Sequence, residues 1–316
     1  MTKPAVLVVG ELPPKIMQAL DDAYILHRYW TFEDKKKGLA AVADSVRGIA
    51  TTGHYGASRE MIFALPNLEI ISSFGVGTDA IDIPAASERG VPVTNTPDVL
   101  TDDVANTAVM MLLAVSRDLV QADRYVRAGK WVSDGNMPLT RAIRGKTVGI
   151  IGLGRIGADI ARKLDVFGVT VVWHGPRPKP DVTYKYYASV VRMAADADYL
   201  VVACPGGAST HHVVNADVLK ALGPAGSLIN ISRGSCVDED ALVAAVKDGV
   251  IGWAGLDVFA KEPHVPADLV ASDRTLLLPH VGSATEETRA AMGNLVIENL
   301  ALHFAGKPLA TQVPPQ

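Results

Sequence analysis

Three polar residues stand where apolar strand-like runs end, and their chemistry is complementary. Arg233 follows Ile229-Asn230-Ile231-Ser232, Glu262 follows Asp257-Val258-Phe259-Ala260-Lys261, and His280 follows Leu276-Leu277-Leu278-Pro279. In an open α/β sheet the ligand crevice lies at the carboxyl ends of the strands, so the three can converge there. Arginine offers a planar donor fork that pairs with a carboxylate and polarises a neighbouring carbonyl. Histidine, as imidazolium, can protonate a carbonyl oxygen while hydride arrives from a second reactant. A glutamate beside it favours the charged ring and fixes its orientation. Together they suffice to reduce a 2-oxo acid. A lone arginine or histidine is more often structural, so the weight falls on the joint arrangement at three successive strand ends.

Hydride must come from a cofactor, and one segment is built to hold it. The apolar run Val148-Gly149-Ile150-Ile151 leads directly into Gly152, Leu153, Gly154, Arg155, Ile156 and Gly157, and helical period continues from Ala158 to Phe167. The first glycine permits the tight turn, the second lets the backbone approach a pyrophosphate, and the third allows close helix–strand packing. The helix N-terminus then faces the phosphates. An NAD-preferring site carries Asp or Glu about 20 residues on, for the ribose 2′-hydroxyl. Here the next strand ends in His174, Gly175, Pro176 and Arg177, and the first acid is Asp181. With no carboxylate to repel a 2′-phosphate and with Arg177 able to bind one, NADPH is expected over NADH. Lys179 would add charge nearby. The plainer alternative is an exposed loop arginine and a site indifferent to the phosphate.

Such a site needs a sheet to position it. Strand-like runs at Ala5–Val9, Tyr24–Tyr29, Gly48–Thr52, Glu69–Ser73 and Val91–Thr94 alternate with helical patterns such as Pro14–Ala23 and Lys35–Val46. A second series follows at Thr147–Ile151, Val169–Trp173, Tyr199–Cys204, Ser227–Ile231, Gly252–Val258 and Thr275–Leu278, six strands in all. This alternation predicts an α/β protein of two doubly wound parallel sheets. Between the series a helical stretch runs from Thr101 to Ala128, with Asp102 and Asp103 near its N-terminus. Its apolar residues cover more than one stripe, which suits burial against a partner subunit or between domains. The last helical pattern, Thr285–Phe304, is expected to return to the first sheet. The resulting domains are 1–100 plus 285–316 and 101–284, the second inserted into the first.

These motifs resemble the D-isomer-specific 2-hydroxyacid dehydrogenases over nearly the whole chain, carried by Val148–Gly157, Asn230–Gly234, Gly255–Phe259 with Glu262-Pro263, and Leu278–Gly282. The likeness is greatest to the NADPH-dependent glyoxylate and hydroxypyruvate reductase branch, through Tyr184–Tyr187, Val201–Pro205 and Leu300–Pro308. The resemblance implies a Rossmann cofactor domain inserted into a discontinuous, flavodoxin-like substrate domain. It implies catalytic roles for Arg233, Glu262 and His280, and carboxylate binding by the backbone N–H groups of Val76 and Gly77. Further implied cofactor contacts are Cys204, Pro205, Ile231, Ser232, Asp257 (near the carboxamide), Gly282 and Ser283. Homodimers joined through the cofactor domains are also implied. Asn106 departs from the pattern, standing where relatives carry an acid.

Composition narrows the rest. The chain has 316 residues, 20% charged and 6% aromatic, with a net charge of −4. That balance lacks the basic excess of a nucleic-acid binder. No apolar run approaches the roughly 20 residues of a membrane helix. Two cysteines, Cys204 and Cys236, form no disulfide framework or CxxC motif, so a reducing, cytoplasmic setting is expected. Cys204 reads as a cofactor-lining or buried residue rather than a nucleophile. His211-His212 has no accompanying ligand cluster, and no metal is expected. Two competing functions stay open: another 2-oxo acid such as a phenylpyruvate as substrate, and a non-enzymatic dinucleotide sensor.

Overall fold

Short, almost wholly buried runs such as Ala5–Val8 and Tyr199–Val202 form strands covered on both faces, the signature of a parallel sheet between helical layers. The computed structural model describes residues 3–315 and divides into two units. One contains the described residues up to Leu100 together with those from Thr285, and the other spans Thr101–Ala284.

The first unit runs β1 (Ala5–Val8), α1 (Pro14–Ala23), β2 (Ile25–Arg28), α2 (Lys35–Val42), β3 (Val46–Thr52), α3 (Arg59–Ala64), β4 (Ile70–Phe74), α4 (Ile83–Glu88) and β5 (Val93–Thr94). Its five strands are parallel in the order β2-β1-β3-β4-β5, the flavodoxin-like arrangement. Leu7, Ile49, Ile62, Leu65 and Ile71 are fully buried at its core.

The second unit opens with α5 (Thr101–Ser116), α6 (Leu119–Arg127) and α7 (Lys130–Ser133). It continues through β6 (Thr147–Ile151), α8 (Arg155–Asp165), β7 (Thr170–His174), β8 (Lys185–Tyr187), α9 (Val190–Asp196), β9 (Tyr199–Val202) and α10 (Ala216–Leu222). The series ends with β10 (Ser227–Asn230), α11 (Glu239–Lys247), β11 (Trp253–Leu256), α12 (Ala267–Ala271) and β12 (Thr275–Leu277). The sheet order is β12-β11-β10-β9-β6-β7-β8, all parallel. The order reverses between β6 and β9, so the crevice at that switch point opens beside the Gly152 turn. The chain then returns to the first unit as α13 (Glu286–Phe304), which packs on β4 and α1. Gly293 permits that approach, since a Cβ there would lie 2.1 Å from Ile16 Cδ1.

Three expectations need correction. The second sheet has seven strands rather than six, because Lys185-Tyr186-Tyr187 pairs with β7 as its outer neighbour. Three residues are too few to show a period. The helical stretch from Thr101 to Ala128 is not continuous: it breaks after Ser116, where Asp118 adopts a left-handed conformation at φ 48°. Aspartate tolerates that region better than most residues. Third, most apolar residues of α5 are covered by their own unit, against α8 and β10–β12. The exposed ones there are Met110 and, beyond the break, Leu119, Val126, Trp131, Val132 and Leu139. Elsewhere strand ends move by a residue or two, the ordinary uncertainty of boundaries.

Candidate active site

The glycine turn meets the demands of its two protein-facing positions by sterics alone. Gly152 has φ 94°, and a Cβ there would lie 2.5 Å from the Cα and N of Cys204. A Cβ on Gly157 would lie 2.0 Å from the Gly152 carbonyl oxygen, so the first turn of α8 presses directly on the loop. Gly154 differs, for a Cβ built there meets nothing within 4 Å. Protein packing does not require glycine at 154, whereas a ligand drawn against the turn does. Gly154 is also the N-cap of α8 and supplies no side-chain cap, which leaves the helix end suited to an anion. These residues fit a dinucleotide pyrophosphate. Arg155 is exposed, Ile156 half-buried and Leu153 buried.

The end of β7 is braced from the strand missed in the sequence. His174 Nδ1 lies 2.9 Å from the Tyr187 carbonyl oxygen, and the Tyr186 hydroxyl donates to the Gly175 carbonyl at 3.0 Å. Trp173 Nε1 donates to the Tyr184 carbonyl at 3.1 Å, and Gly152 N–H to the His174 carbonyl at 2.8 Å. Pro176 and Arg177 are exposed at the tip of this braced loop. Lys179 carries its charge back to the glycine turn. Its Nζ donates to the Leu153 carbonyl at 2.5 Å, lashing the loop to the glycine turn. The signal for this bracing was the aromatic β-former pair Tyr186-Tyr187, visible in the sequence but not placed in the sheet.

Beyond β10, Asn230 organises the turn that carries Arg233. Its Oδ1 accepts from Ser232 N–H at 3.1 Å, and its Nδ2 donates to the Arg233 carbonyl at 2.9 Å. Ser232 Oγ donates to the Cys204 carbonyl, joining the ends of β10 and β9. Ile231 and Cys204 are buried beneath, while Pro205 is exposed. Arg233 is half-buried, with Nη1 donating to the Ser232 carbonyl at 2.8 Å. Gly234 locks this turn against the next one, for a Cβ there would fall 2.0 Å from the Phe259 carbonyl carbon.

Glu262 and His280 form the most constrained pair. One carboxylate oxygen of Glu262 accepts from Phe259 N–H at 3.0 Å, and the other lies 2.8 Å from His280 Nδ1. Because a carboxylate only accepts, Nδ1 carries the proton and Nε2 is left to act outward. The His280 backbone is left-handed at φ 54°, an uncommon state for histidine that the surroundings enforce. Its N–H donates to the Asp257 carbonyl at 2.9 Å. The buried Asp257 carboxylate accepts from Val281 N–H at 2.7 Å and Gly282 N–H at 2.8 Å. Burial raises the pKa of Asp257, and those two bonds oppose the rise. Asp257 thus acts first as the clamp of the turn that presents His280. Gly282 is buried and Ser283 half-buried just beyond it.

The structure therefore brings Arg233, Glu262 and His280 to the carboxyl edge of one sheet, on turns locked to each other. Val76 and Gly77 belong to the other unit, after β4 at the carboxyl edge of its sheet. There Asn95 Nδ2 donates to the Val76 carbonyl at 2.8 Å and Thr96 N–H to the Gly75 carbonyl at 3.0 Å. Asn106 donates to the Asp102 carboxylate at 3.0 Å, where an acid would repel it one helical turn away. Among the described residues no group of three or more His, Cys, Asp or Glu is placed to hold a metal ion. Nor is any described helix long and apolar enough to cross a membrane.

Residues 109–282 match the NAD binding domain of the D-isomer specific 2-hydroxyacid dehydrogenases. The chain is also 49% identical over 308 residues to hydroxyphenylpyruvate reductase of Plectranthus scutellarioides, covering 98% of each chain. The chain belongs to the D-isomer specific 2-hydroxyacid dehydrogenase family. A glyoxylate/hydroxypyruvate reductase of Arabidopsis thaliana is 48% identical over 98% of each chain. Among solved structures, the NADPH-dependent glyoxylate/hydroxypyruvate reductase of Sinorhizobium meliloti, in complex with NADP and malonate, matches with a TM-score of 0.91. It is 43% identical, over 99% of this chain and 98% of that one. The protein is accordingly an NAD(P)-using enzyme of the 2-hydroxyacid dehydrogenase and reductase class.

Proposed function

We propose that this dehydrogenase reduces small 2-oxo acids, glyoxylate and hydroxypyruvate foremost, with NADPH as the preferred reductant. The observation that carries the reading is the Glu262–His280 pair beside the Arg233 turn, with Nδ1 engaged at 2.8 Å and Nε2 left outward. A nicotinamide cofactor held at the glycine turn would supply the hydride. Arg233 binds the substrate carboxylate and polarises the adjacent carbonyl. His280, as imidazolium, donates its Nε2 proton to the carbonyl oxygen, and the Glu262 carboxylate accepts from Nδ1–H and fixes the ring's orientation. Backbone N–H groups of Val76 and Gly77 bind the substrate carboxylate. The cofactor set comprises the turn Gly152–Gly157, the loop His174–Arg177, Cys204, Pro205, Ile231, Ser232, Asp257, Gly282 and Ser283. The residues up to Leu100 with those from Thr285 serve as the substrate domain, and Thr101–Ala284 as the cofactor domain. Mixing the protein with NADPH and each 2-oxo acid, and following loss of the reduced nicotinamide, tests the reading; no turnover with any of them overturns it. The Plectranthus relative favours a hydroxyphenylpyruvate as a second substrate class, which the same panel resolves. The enzyme identity of the relatives argues against a pure dinucleotide sensor.

Preference for NADPH rests on Arg177 at the tip of the loop after β7, where the first carboxylate is Asp181, beyond Pro178 and Pro180. Arg177→Ala should weaken NADPH by about ten- to a hundredfold, the loss of one or two charge-assisted hydrogen bonds to phosphate, and leave NADH unchanged. Binding titrations with both cofactors check this, and equal loss for both would remove Arg177 from the site.

The exposed apolar residues Leu119, Val126, Trp131, Val132 and Leu139 support a homodimer through the cofactor domain. Light scattering should give twice the chain mass, and Val132→Glu with Leu139→Glu should halve it. A monomeric wild type would refute the assignment. A cytoplasmic setting accords with two free, buried cysteines.

A further inference from the structure

Cys204 and Cys236 are 32 positions apart in the chain, yet their sulfur atoms lie 3.9 Å from each other. Both are buried, on turns that follow β9 and β10. Buried cysteines are usually small apolar fillers, and this pair borders a hydrophobic core cluster, but polar groups also reach it. The Ser232 hydroxyl lies 3.7 Å from Cys236 Sγ and the Pro205 carbonyl oxygen 3.8 Å. The thiol of Cys204 donates toward Cys236 and lowers its pKa most; burial opposes this, and the Ser232 and Thr210 hydroxyls and the Arg233 charge add to the lowering. Cys204 is correspondingly raised, by that pairing and by burial. Of the two, Cys236 is the thiol whose proton is the more readily lost. The segment that follows Cys204 is exposed at Pro205, Gly207, Ala208, Ser209, His211 and His212, and Gly207 has φ 132°.

We propose that Cys204 and Cys236 form an oxidation site, closed to a disulfide by hydrogen peroxide or a related small hydroperoxide, that switches the reductase off. In the first step the Cys236 thiolate attacks the peroxide oxygen. An S–O bond forms, the O–O bond breaks, and hydroxide departs and takes a proton as water. Cys204 sulfur then attacks the sulfenic sulfur of Cys236; the S–S bond forms, the S–O bond breaks and a second water leaves. Two thiols lose two electrons and two hydrogens, and one peroxide is reduced to two waters.

Closure has consequences because neither cysteine can move alone. The sulfurs must approach from 3.9 Å to about 2.05 Å. Cys204 Cα and N lie so near Gly152 that a Cβ there would fall 2.5 Å from them. The Cys204 carbonyl accepts from Ser232 Oγ, and Cys236 ends the short 3-10 turn that begins right after Arg233. Motion of either cysteine therefore displaces the glycine turn or the arginine turn. Loss of activity rests on the proposed catalytic reading; disulfide formation does not.

Peroxide treatment of the folded, full-length protein tests both parts. Intact mass should fall by two hydrogen atoms, with Cys204 and Cys236 peptides linked, and kcat/KM should drop by about ten- to a hundredfold. Dithiothreitol should restore both. Cys236→Ser, or Cys236→Ala if serine folds poorly, should keep its starting activity under the same peroxide. If the wild type retains both free thiols while its methionines are oxidised, the site is refuted. If the disulfide forms and kcat/KM is unchanged, or if the variant is inactivated equally, the switch is refuted. Because the mass readout needs no turnover, an enzyme inactive toward every 2-oxo acid would sink the functional reading without touching the thiol result.

Discussion

His280→Ala is expected to lower turnover of a 2-oxo acid by about 10²- to 10⁴-fold, the range for loss of a positioned general acid. Cofactor affinity should hardly change, since the ring is engaged by Glu262 and not by the glycine turn. Single-turnover kinetics alongside a cofactor binding titration separate the two effects, and near-normal turnover would place the acid elsewhere. Glu262→Gln is the sharper companion. A glutamine can accept from Phe259 N–H with its oxygen, but its amide then points a donor at His280 Nδ1. That pairing selects the opposite tautomer and disfavours the imidazolium. Turnover should fall although the packing is kept, and the variant should be as stable as the wild type by thermal melting.

Gly234→Ala should be the most damaging single methyl in the site. Its Cβ would sit 2.0 Å from the Phe259 carbonyl carbon, 2.1 Å from the Phe259 oxygen and 2.3 Å from Ala260 N. These are backbone atoms on a neighbouring turn, so no side-chain rotation relieves the overlap. Overpacking of this kind costs about 3 kcal/mol, or roughly 6–12 °C in melting temperature for a domain of this size. Activity should fall further than stability explains, because the methyl wedges the Arg233 turn away from the turn holding Glu262. Calorimetry with kinetics on the folded variant checks this; a wild-type melting temperature would show that the two turns are not locked together.

Much of the architecture could be read from local features because they are local in cause. Apolar runs such as Val148–Ile151 and Leu228–Ile229 are strands whichever neighbours they find, since a parallel sheet buries both faces. The glycine spacing is legible for the same reason: Gly152 and Gly157 answer to atoms within a few residues or on the adjoining strand end. Arg233, Glu262 and His280 could be picked out because the strand-end rule needs only the order of elements. The seventh strand could not, as Lys185–Tyr187 is held by pairing with β7 and by hydrogen bonds to Gly175 and His174. The break at Asp118 was equally hidden, because propensity favours a helix straight through it.

Lys179 shows the division well. By composition it is one more positive charge near Arg177, and only the fold turns it back onto the Leu153 carbonyl. Asp257 is similar: its carboxylate is spent on Val281 and Gly282, residues 24 and 25 positions away. What the amino-acid order determined by itself was the alternation of strands and helices, the glycine turn and the identity of the three polar residues. What tertiary structure decided was which atoms of those residues face one another, the left-handed His280, the locking of Gly234 on Phe259, and the meeting of Cys204 with Cys236. Hydrogen bonds and steric overlap act over a few ångströms in space, and separation along the chain carries no record of which distant atoms will come that close.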